Sequence, residues 1–258
     1  MRYYWLWSLI ILWTIILGSL ALIISLFDPT RGKVISWFVR LWGRLILNTL
    51  GNPYQIQGLD RLNPKENYIF AANHSSSLDI PLLFGCLPYW LVPIAKIELK
   101  WVPFLGWVMQ AGGHVFIDRS NHENAMRSME KTKRSLLEKP RSVLLFPEGS
   151  RTLNGEIQPF KPGGLLLSIE TGIPIVPVAV DGTFQSFRKG SKKFTKHKLL
   201  ISLGEPISTS EYLLDNRKQL AKDIREAVLQ LKSEITIELY RIFGKQFLSQ
   251  NKSTNIRL

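Results

Sequence analysis

Hydrophobic positions fall into three regimes along the chain. From Tyr3 to Phe27 they are nearly continuous, 25 residues without a charge except Asp28 beyond their end, long enough for a helix to cross a hydrocarbon core of roughly 30 Å. The run closes on Phe27-Asp28-Pro29, without the small-x-small site of a cleaved signal peptide, and Trp5, Trp7 and Trp13 suit a membrane interface. From Val34 to Leu50 apolar residues mix with Arg40 and Arg44, one helical turn apart, which predicts a second helix lying in the interface. Gly51-Asn52-Pro53 then ends this two-helix anchor, residues 1–50, and opens a domain over 51–258.

In the third regime short apolar runs alternate with amphipathic segments. The runs at 68–72, 90–95, 113–118, 142–147, 174–180 and 198–203 read as strands. Between them, 121–138 has a helical face of Ala125, Met129, Thr132 and Leu136, and 217–243 repeats Leu220, Ile224, Val228, Leu231, Ile235 and Leu239 at three or four residues. Alternation of this kind predicts an α/β fold with helices packed on a largely buried sheet. Pro174 and Pro177 inside one run predict an edge strand or an irregular ladder there.

A formal charge of +13 points to a polyanionic partner, nucleic acid or an anionic membrane surface. Residues 183–198 concentrate it: Arg188, Lys189, Lys192, Lys193, Lys196 and Lys198 stand among Phe184, Phe187 and Phe194. The single cysteine, Cys86, excludes a disulfide framework and a multi-thiolate zinc site, and the four histidines have no metal-ligand spacing, so no metal is assigned. If the first segment spans, Arg31, Lys33, Arg40 and Arg44 just after it put the domain in the cytoplasm by the positive-inside rule. The alternative is that both helices lie sunk in one leaflet.

Chemistry concentrates at strand ends. Asn73-His74-Ser75-Ser76-Ser77-Leu78-Asp79 follows the run at 68–72 and precedes a helical start at Ile80-Pro81. On one continuous helix Asp79 would point roughly 140° away from His74, at about 100° per residue. The two can meet only if His74 lies in the turn before the helix. Asp79 would then take the proton-bearing ring nitrogen and leave the other free as a base. Alone, such a pair is a common turn-and-cap pattern. Arg119, after Val115-Phe116-Ile117-Asp118, and Arg151, after Phe146-Pro147-Glu148-Gly149-Ser150, are arginines able to fork onto a phosphate, and Gly149 allows close backbone approach. G-x-S-x-G is absent, which argues against a serine hydrolase.

Taken together, Asn73-His74-x4-Asp79, Phe116-Ile117-Asp118-Arg119, Phe146-Pro147-Glu148-Gly149-Ser150-Arg151 and Ile175-Val176-Pro177-Val178 resemble, in order and separation, the four blocks of the glycerophospholipid acyltransferases. The resemblance covers roughly residues 51–205, with Ser150 where members often carry threonine, and within the family the lysophosphatidic acid enzymes are the most similar. It implies a single mixed-sheet α/β acyltransferase domain flanked by helices, His74 as general base and Asp79 as its orienting partner. It also implies an acceptor glycerol phosphate bound by Arg119, Glu148, Gly149 and Arg151, with Lys96 as a further phosphate contact. No cofactor is implied beyond an acyl-CoA or acyl-carrier-protein cosubstrate, and the partners are the phospholipid bilayer and a lysophospholipid. An acyl thioester is already activated, so an alcohol deprotonated by a base can attack it without a covalent enzyme intermediate. The oxyanion would be met by donors near His74, with the backbone amides of the turn after it as candidates. Two other readings stay open at this level: a relative using glycerol 3-phosphate or another lysophospholipid, and a non-catalytic membrane-bound module binding lipid or nucleic acid. No nucleic-acid motif is visible, and a membrane surface already accounts for the charge.

Overall fold

The structure, a computed structural model, describes residues 2–30, 32–118 and 120–254, with the last helix described beyond Ile235 by its backbone alone. Two helices come first, α1 (Arg2–Ser25) and α2 (Lys33–Leu50), followed by strands β1 (Tyr54–Gln57) and β2 (Ile69–Ala72). Then come α3 (Asp79–Cys86), β3 (Leu91–Lys96), α4 (Leu105–Ala111), β4 (Val115–Ile117), α5 (His122–Glu138) and β5 (Ser142–Leu145). The chain continues through α6 (Pro162–Thr171), β6 (Ile175–Asp181), the single turn α7 (Thr183–Ser186), β7 (Leu199–Leu203) and α8 (Arg217–Thr254).

All seven strands form one mixed sheet in the order β1-β7-β6-β2-β5-β3-β4. Only the β6–β7 pair is antiparallel, so β6, β2, β5, β3 and β4 run one way and β7 and β1 the other. The central strand β2 is buried along its whole length because it is covered on both faces. Ile69 and Ala71 pack toward Met129 of α5, Leu165 of α6 and Ile224 and Val228 of α8. Phe70 and Ala72, pointing the other way, join Leu47 of α2 and Leu82 and Leu83 of α3. The stripe from Leu220 to Ile235 on α8 is thus core, and Leu239 lies outside the described side chains.

Of the two arrangements expected around Pro177, the irregular ladder is found, and the strand is interior. β6 lies between β7 and β2, and its pairing with β7 starts only at Val178 opposite Leu203. The Pro177 carbonyl accepts from Gly204 N–H at 2.9 Å, while the proline nitrogen can return no bond, so the regular ladder stops there. β1 was not among the expected strands: Tyr-Gln-Ile-Gln is an exposed edge with little apolar pattern.

The expected two-helix anchor is present as two helices packed on each other. Among the described residues one of them, Tyr4–Ser25, is long and apolar enough to cross a membrane, with mean hydropathy 2.4. α2 also packs closely on the domain. A Cβ on Gly43 would stand 2.4 Å from Pro81 O and 2.8 Å from Gly85 N, so α2 and α3 cross backbone to backbone. Arg44 Nε donates to Gly85 O at 2.9 Å and Arg40 Nη2 to Tyr89 O at 3.1 Å. The two arginines therefore serve carbonyls at and beyond the C-terminal end of α3, where positive charge also meets the negative end of the helix dipole.

α1 lies along the same body over its length. Trp7 near its start packs edge-on against Phe187 at 6.2 Å; mid-helix, Trp42 Nε1 of α2 donates to Thr14 Oγ1 at 2.9 Å. Toward its end Ala21 is buried against α2, and Asp28 Oδ2 accepts from Gly32 N–H at 2.9 Å, tying the turn into α2. Along its length α1 also exposes Ile11, Leu12, Ile15, Ile16, Leu20 and Ile23 as a helical stripe.

Candidate active site

The five strands of common direction all end on one side of the sheet, and the candidate residues follow their C-terminal ends: His74 after β2, Lys96 at the end of β3, Glu148 to Arg151 after β5. Such ends, at a crevice in an open α/β sheet, are where ligands bind. Arg119, expected beside them, lies outside the described residues.

The chain leaves β2 under close control. Asn73 continues the strand with its side chain: Oδ1 accepts from Val180 N–H at 2.7 Å and Nδ2 donates to Val180 O at 3.0 Å, as a further rung between β2 and β6. His74 is held by its backbone on both sides, its N–H donating to Glu148 Oε1 at 2.6 Å and its carbonyl accepting from Thr152 N–H at 3.0 Å. Its ring stacks on Phe146 at 4.0 Å. The residue is thus fixed before its side chain does any chemistry.

His74 lies in the turn, and Asp79 is the first residue of α3, where an acid also suits the helix dipole. Asp79 is fully buried, and its Oδ2 stands 2.8 Å from His74 Nδ1. The same oxygen accepts from the N–H groups of Ser75 and Ser76, each at 2.8 Å. An ionised carboxylate only accepts, so Nδ1 carries the imidazole proton and Nε2 keeps a free lone pair.

These bonds narrow the expectation about the oxyanion. The amides of Ser75 and Ser76 are spent on Asp79, while Leu78 N–H donates to Ser76 Oγ at 3.1 Å and Asp79 N–H to Ser76 O at 3.3 Å. These four amides are engaged within the turn and are not open to a substrate carbonyl. The serine hydroxyls are also structural: Ser76 Oγ donates to Phe187 O at 2.6 Å, Ser75 Oγ pairs with Thr183 Oγ1 at 3.0 Å, and Ser77 Oγ accepts from Arg151 Nη1.

Glu148 is placed differently from a ligand contact. It is buried, and both its oxygens hold backbone amides: Oε1 that of His74, Oε2 that of Gln158 at 3.0 Å. Burial raises its pKa, and the two amide bonds work against that rise. Gly149 adopts φ 76°, and a Cβ there would stand 3.3 Å from Lys161 Nζ. Lys161, a cation that sequence reasoning passed over, precedes Pro162 at the start of α6; proline at a first helical position was the signal that could have located it.

His74, Lys96, Gly149 and Arg151 all line a cavity of about 770 Å³. The rest of its wall is mostly apolar, with Ile11 and Gly18 of α1, Trp42 of α2, Phe84 of α3, Ile94 of β3 and Val108 of α4 among the contributors, along with Phe104 just before α4. His114 is part of this wall; its Nδ1 lies 2.7 Å from Met109 O, and burial pushes it down to about 4, so it is neutral at pH 7. The arrangement offers a base, two cations and room for a long hydrocarbon within one cavity.

Comparison with known proteins agrees in one direction. Residues 53–181 match the family model described as acyltransferase. The chain is similar to the 1-acyl-sn-glycerol-3-phosphate acyltransferase of Limnanthes douglasii, 31% identical over 222 residues that cover 86% of this chain and 78% of the relative. It is 33% identical over 199 residues to the enzyme of that name from Cocos nucifera, covering 77% of this chain and 64%, just under two thirds, of the relative. Among solved structures it resembles the 1-acyl-sn-glycerophosphate acyltransferase of Thermotoga maritima with a TM-score of 0.77, 26% identity and coverage of 91% of this chain and 95% of that one.

Proposed function

The chain belongs to the acyltransferase family, and on that footing we propose that it moves a fatty acyl group from a thioester to the sn-2 hydroxyl of 1-acyl-glycerol 3-phosphate, giving phosphatidic acid. The observation that carries this reading is the single cavity in which His74, Lys96 and Arg151 face an otherwise apolar space of about 770 Å³. A phosphomonoester bearing a fatty chain needs cations and hydrocarbon contact side by side.

In this reading Arg151 and Lys96 hold the acceptor phosphate, with Lys161 beside Gly149 adding a third positive charge. The acceptor hydroxyl lies against His74 Nε2. As its oxygen attacks the thioester carbonyl carbon, its proton passes to Nε2 and the imidazolium is stabilised by Asp79. Collapse of the tetrahedral intermediate breaks the carbon–sulfur bond, and the proton on Nε2 goes to the departing thiolate. Glu148 is a positioning residue here, holding the His74 backbone. The donor is acyl-CoA or acyl-carrier protein, both soluble in the cytoplasm, which places the domain on the cytoplasmic leaflet.

The membrane side of the reading follows from α1. A helix of 24 residues is about 36 Å long, and a spanning helix would put its ends on opposite faces of the bilayer. Near its start α1 touches the domain through Trp7 against Phe187, and toward its end through Leu17 and Ala21, which cluster with Val108 and Ala111 of α4. We therefore read it as lying in one leaflet with its stripe from Ile11 to Ile23 in lipid, so that both lipids reach the cavity sideways. The test is release of free thiol from acyl-CoA and from acyl-carrier protein, with and without lysophosphatidic acid, beside His74→Ala. Thiol released only with the acceptor, and not by the variant, supports the proposal; no release with either donor, or full release by the variant, overturns it.

A further inference from the structure

The segment after β6 is an ordered cationic platform that the proposed reaction does not use. From Thr183 to Lys198 it contains six arginines and lysines and no acid. Arg188, Lys189, Lys192, Lys193, Lys196 and Lys198 are all exposed, and none has an ion-pair partner among the described residues. Underneath, Phe187 and Phe194 stack at 4.1 Å, and Trp7 of α1 packs on both, at 6.2 Å and 6.0 Å. Asn52 Nδ2 donates to Ser186 Oγ at 2.8 Å and to His197 O at 2.9 Å, and Ser76 Oγ of the catalytic turn donates to Phe187 O. Six like charges are kept close together here by a built base.

That base meets α1 where the helix turns aromatic and exposed. Tyr4 and Trp5, 67% and 66% exposed, belong to the turn next to Trp7 and have the character of residues at headgroup depth. The apolar stripe of α1 thus runs directly into the cationic segment. Hydrocarbon contact along a helix and fixed positive charge at its end are complementary to one kind of surface, a leaflet with anionic headgroups. We propose that residues 187–198 dock the protein on anionic phospholipid, orienting α1 in the leaflet beside the cavity. The inference rests on the reading of α1 as a bilayer-embedded helix and is independent of acyl transfer.

The experiment is vesicle partitioning of the full chain, diluted from detergent into flotation assays with phosphatidylcholine alone or with 30% phosphatidylglycerol. α1 contributes equally to both vesicle types, so the ratio of the two partition coefficients isolates the charge. The expected ratio for the unmodified protein is about tenfold or more at low salt, falling toward one near 0.5 M salt as the charges are screened. In Lys192→Gln/Lys193→Gln/Lys196→Gln/Lys198→Gln it should fall about tenfold at unchanged binding to neutral vesicles. A ratio near one for the unmodified protein overturns the proposal, as does a salt-independent ratio, which needs no variant to measure. So does a variant that keeps its preference for phosphatidylglycerol while losing affinity for acyl-carrier protein, which would make the segment a docking site for the acidic donor. Failure of the unmodified protein to bind either vesicle overturns the membrane reading of α1 as well.

Discussion

Replacing Glu148 with glutamine separates two roles that the residue's position in the chain cannot tell apart. A contact to the acceptor, as the resemblance implies, would make Glu148→Gln an affinity variant. The bonds found predict a turnover variant. The carboxylate accepts from two amides, His74 N–H at 2.6 Å and Gln158 N–H at 3.0 Å. A glutamine offers one oxygen to one of them and sets an NH2 against the other. The lost charge-assisted bond and the buried amide it leaves without a partner are two sides of one change, worth about 2–3 kcal/mol on the scale of hydrogen bonds to charged groups. Recovery of Born energy from removing a buried charge offsets part of this. If His74 is the group that moves, the change appears in the transition state: kcat falls about 10–100-fold at 1.36 kcal/mol per decade, with KM for lysophosphatidic acid within about twofold. The melting temperature falls roughly 4–8 °C for about 2 kcal/mol in a chain of this size. Steady-state thiol release at varied acceptor concentration, with a thermal melt alongside, measures all three quantities. A tenfold rise in KM at unchanged kcat and melting temperature would refute the reasoning and return Glu148 to the acceptor.

Gly43→Ala should lower the melting temperature by several degrees and reduce kcat, because the new Cβ meets Pro81 O at 2.4 Å and pushes on the helix that carries Asp79; unchanged melting would mean that α2 and α3 separate freely. Gly18→Val should shift donor preference toward shorter acyl chains, since a Cβ there stands 2.6 Å from Phe104 Cζ in the cavity wall; competition between long and medium acyl thioesters reads it, and an unchanged product spectrum counts against the chain lying past Gly18. His114, with its folded pKa depressed to about 4 from 6.5, binds a proton more readily unfolded, so its stabilisation is full above pH 6.5 and is lost as pH falls toward 4. That amounts to about 3 kcal/mol over the window; His114→Gln should flatten the decline of stability between pH 7 and pH 4 in denaturant titrations, and an identical slope in both proteins would show that His114 protonates freely in the fold.

Sequence patterns carried the sheet well where strands are buried on both faces. Continuous apolar runs marked β2, β5, β6 and β7 to within a residue or two, because a covered parallel strand has no polar face to blur its signal. β1 was lost for the converse reason, as an exposed edge. His74 and Asp79 were legible as a pair because their contact is local, five residues apart. The task of Glu148 was not, since its partner is a backbone amide 74 residues away and an amide has no sequence signature. The partners of Arg40 and Arg44 were illegible in the same manner: cations on an amphipathic helix look alike whether they meet headgroups or the carbonyls of a neighbouring helix.

The wall that α1 contributes to the cavity has a practical corollary. Trimming α1 away is one way to seek a more soluble protein. Here Ile11 and Gly18 are part of the enclosure that also contains His74. Trimming would leave the base intact and open its hydrocarbon compartment to water. On the proposed reading, attachment and substrate enclosure therefore reside in one element of this chain, and variation along α1 that leaves it equally greasy can still alter which fatty chains it accepts.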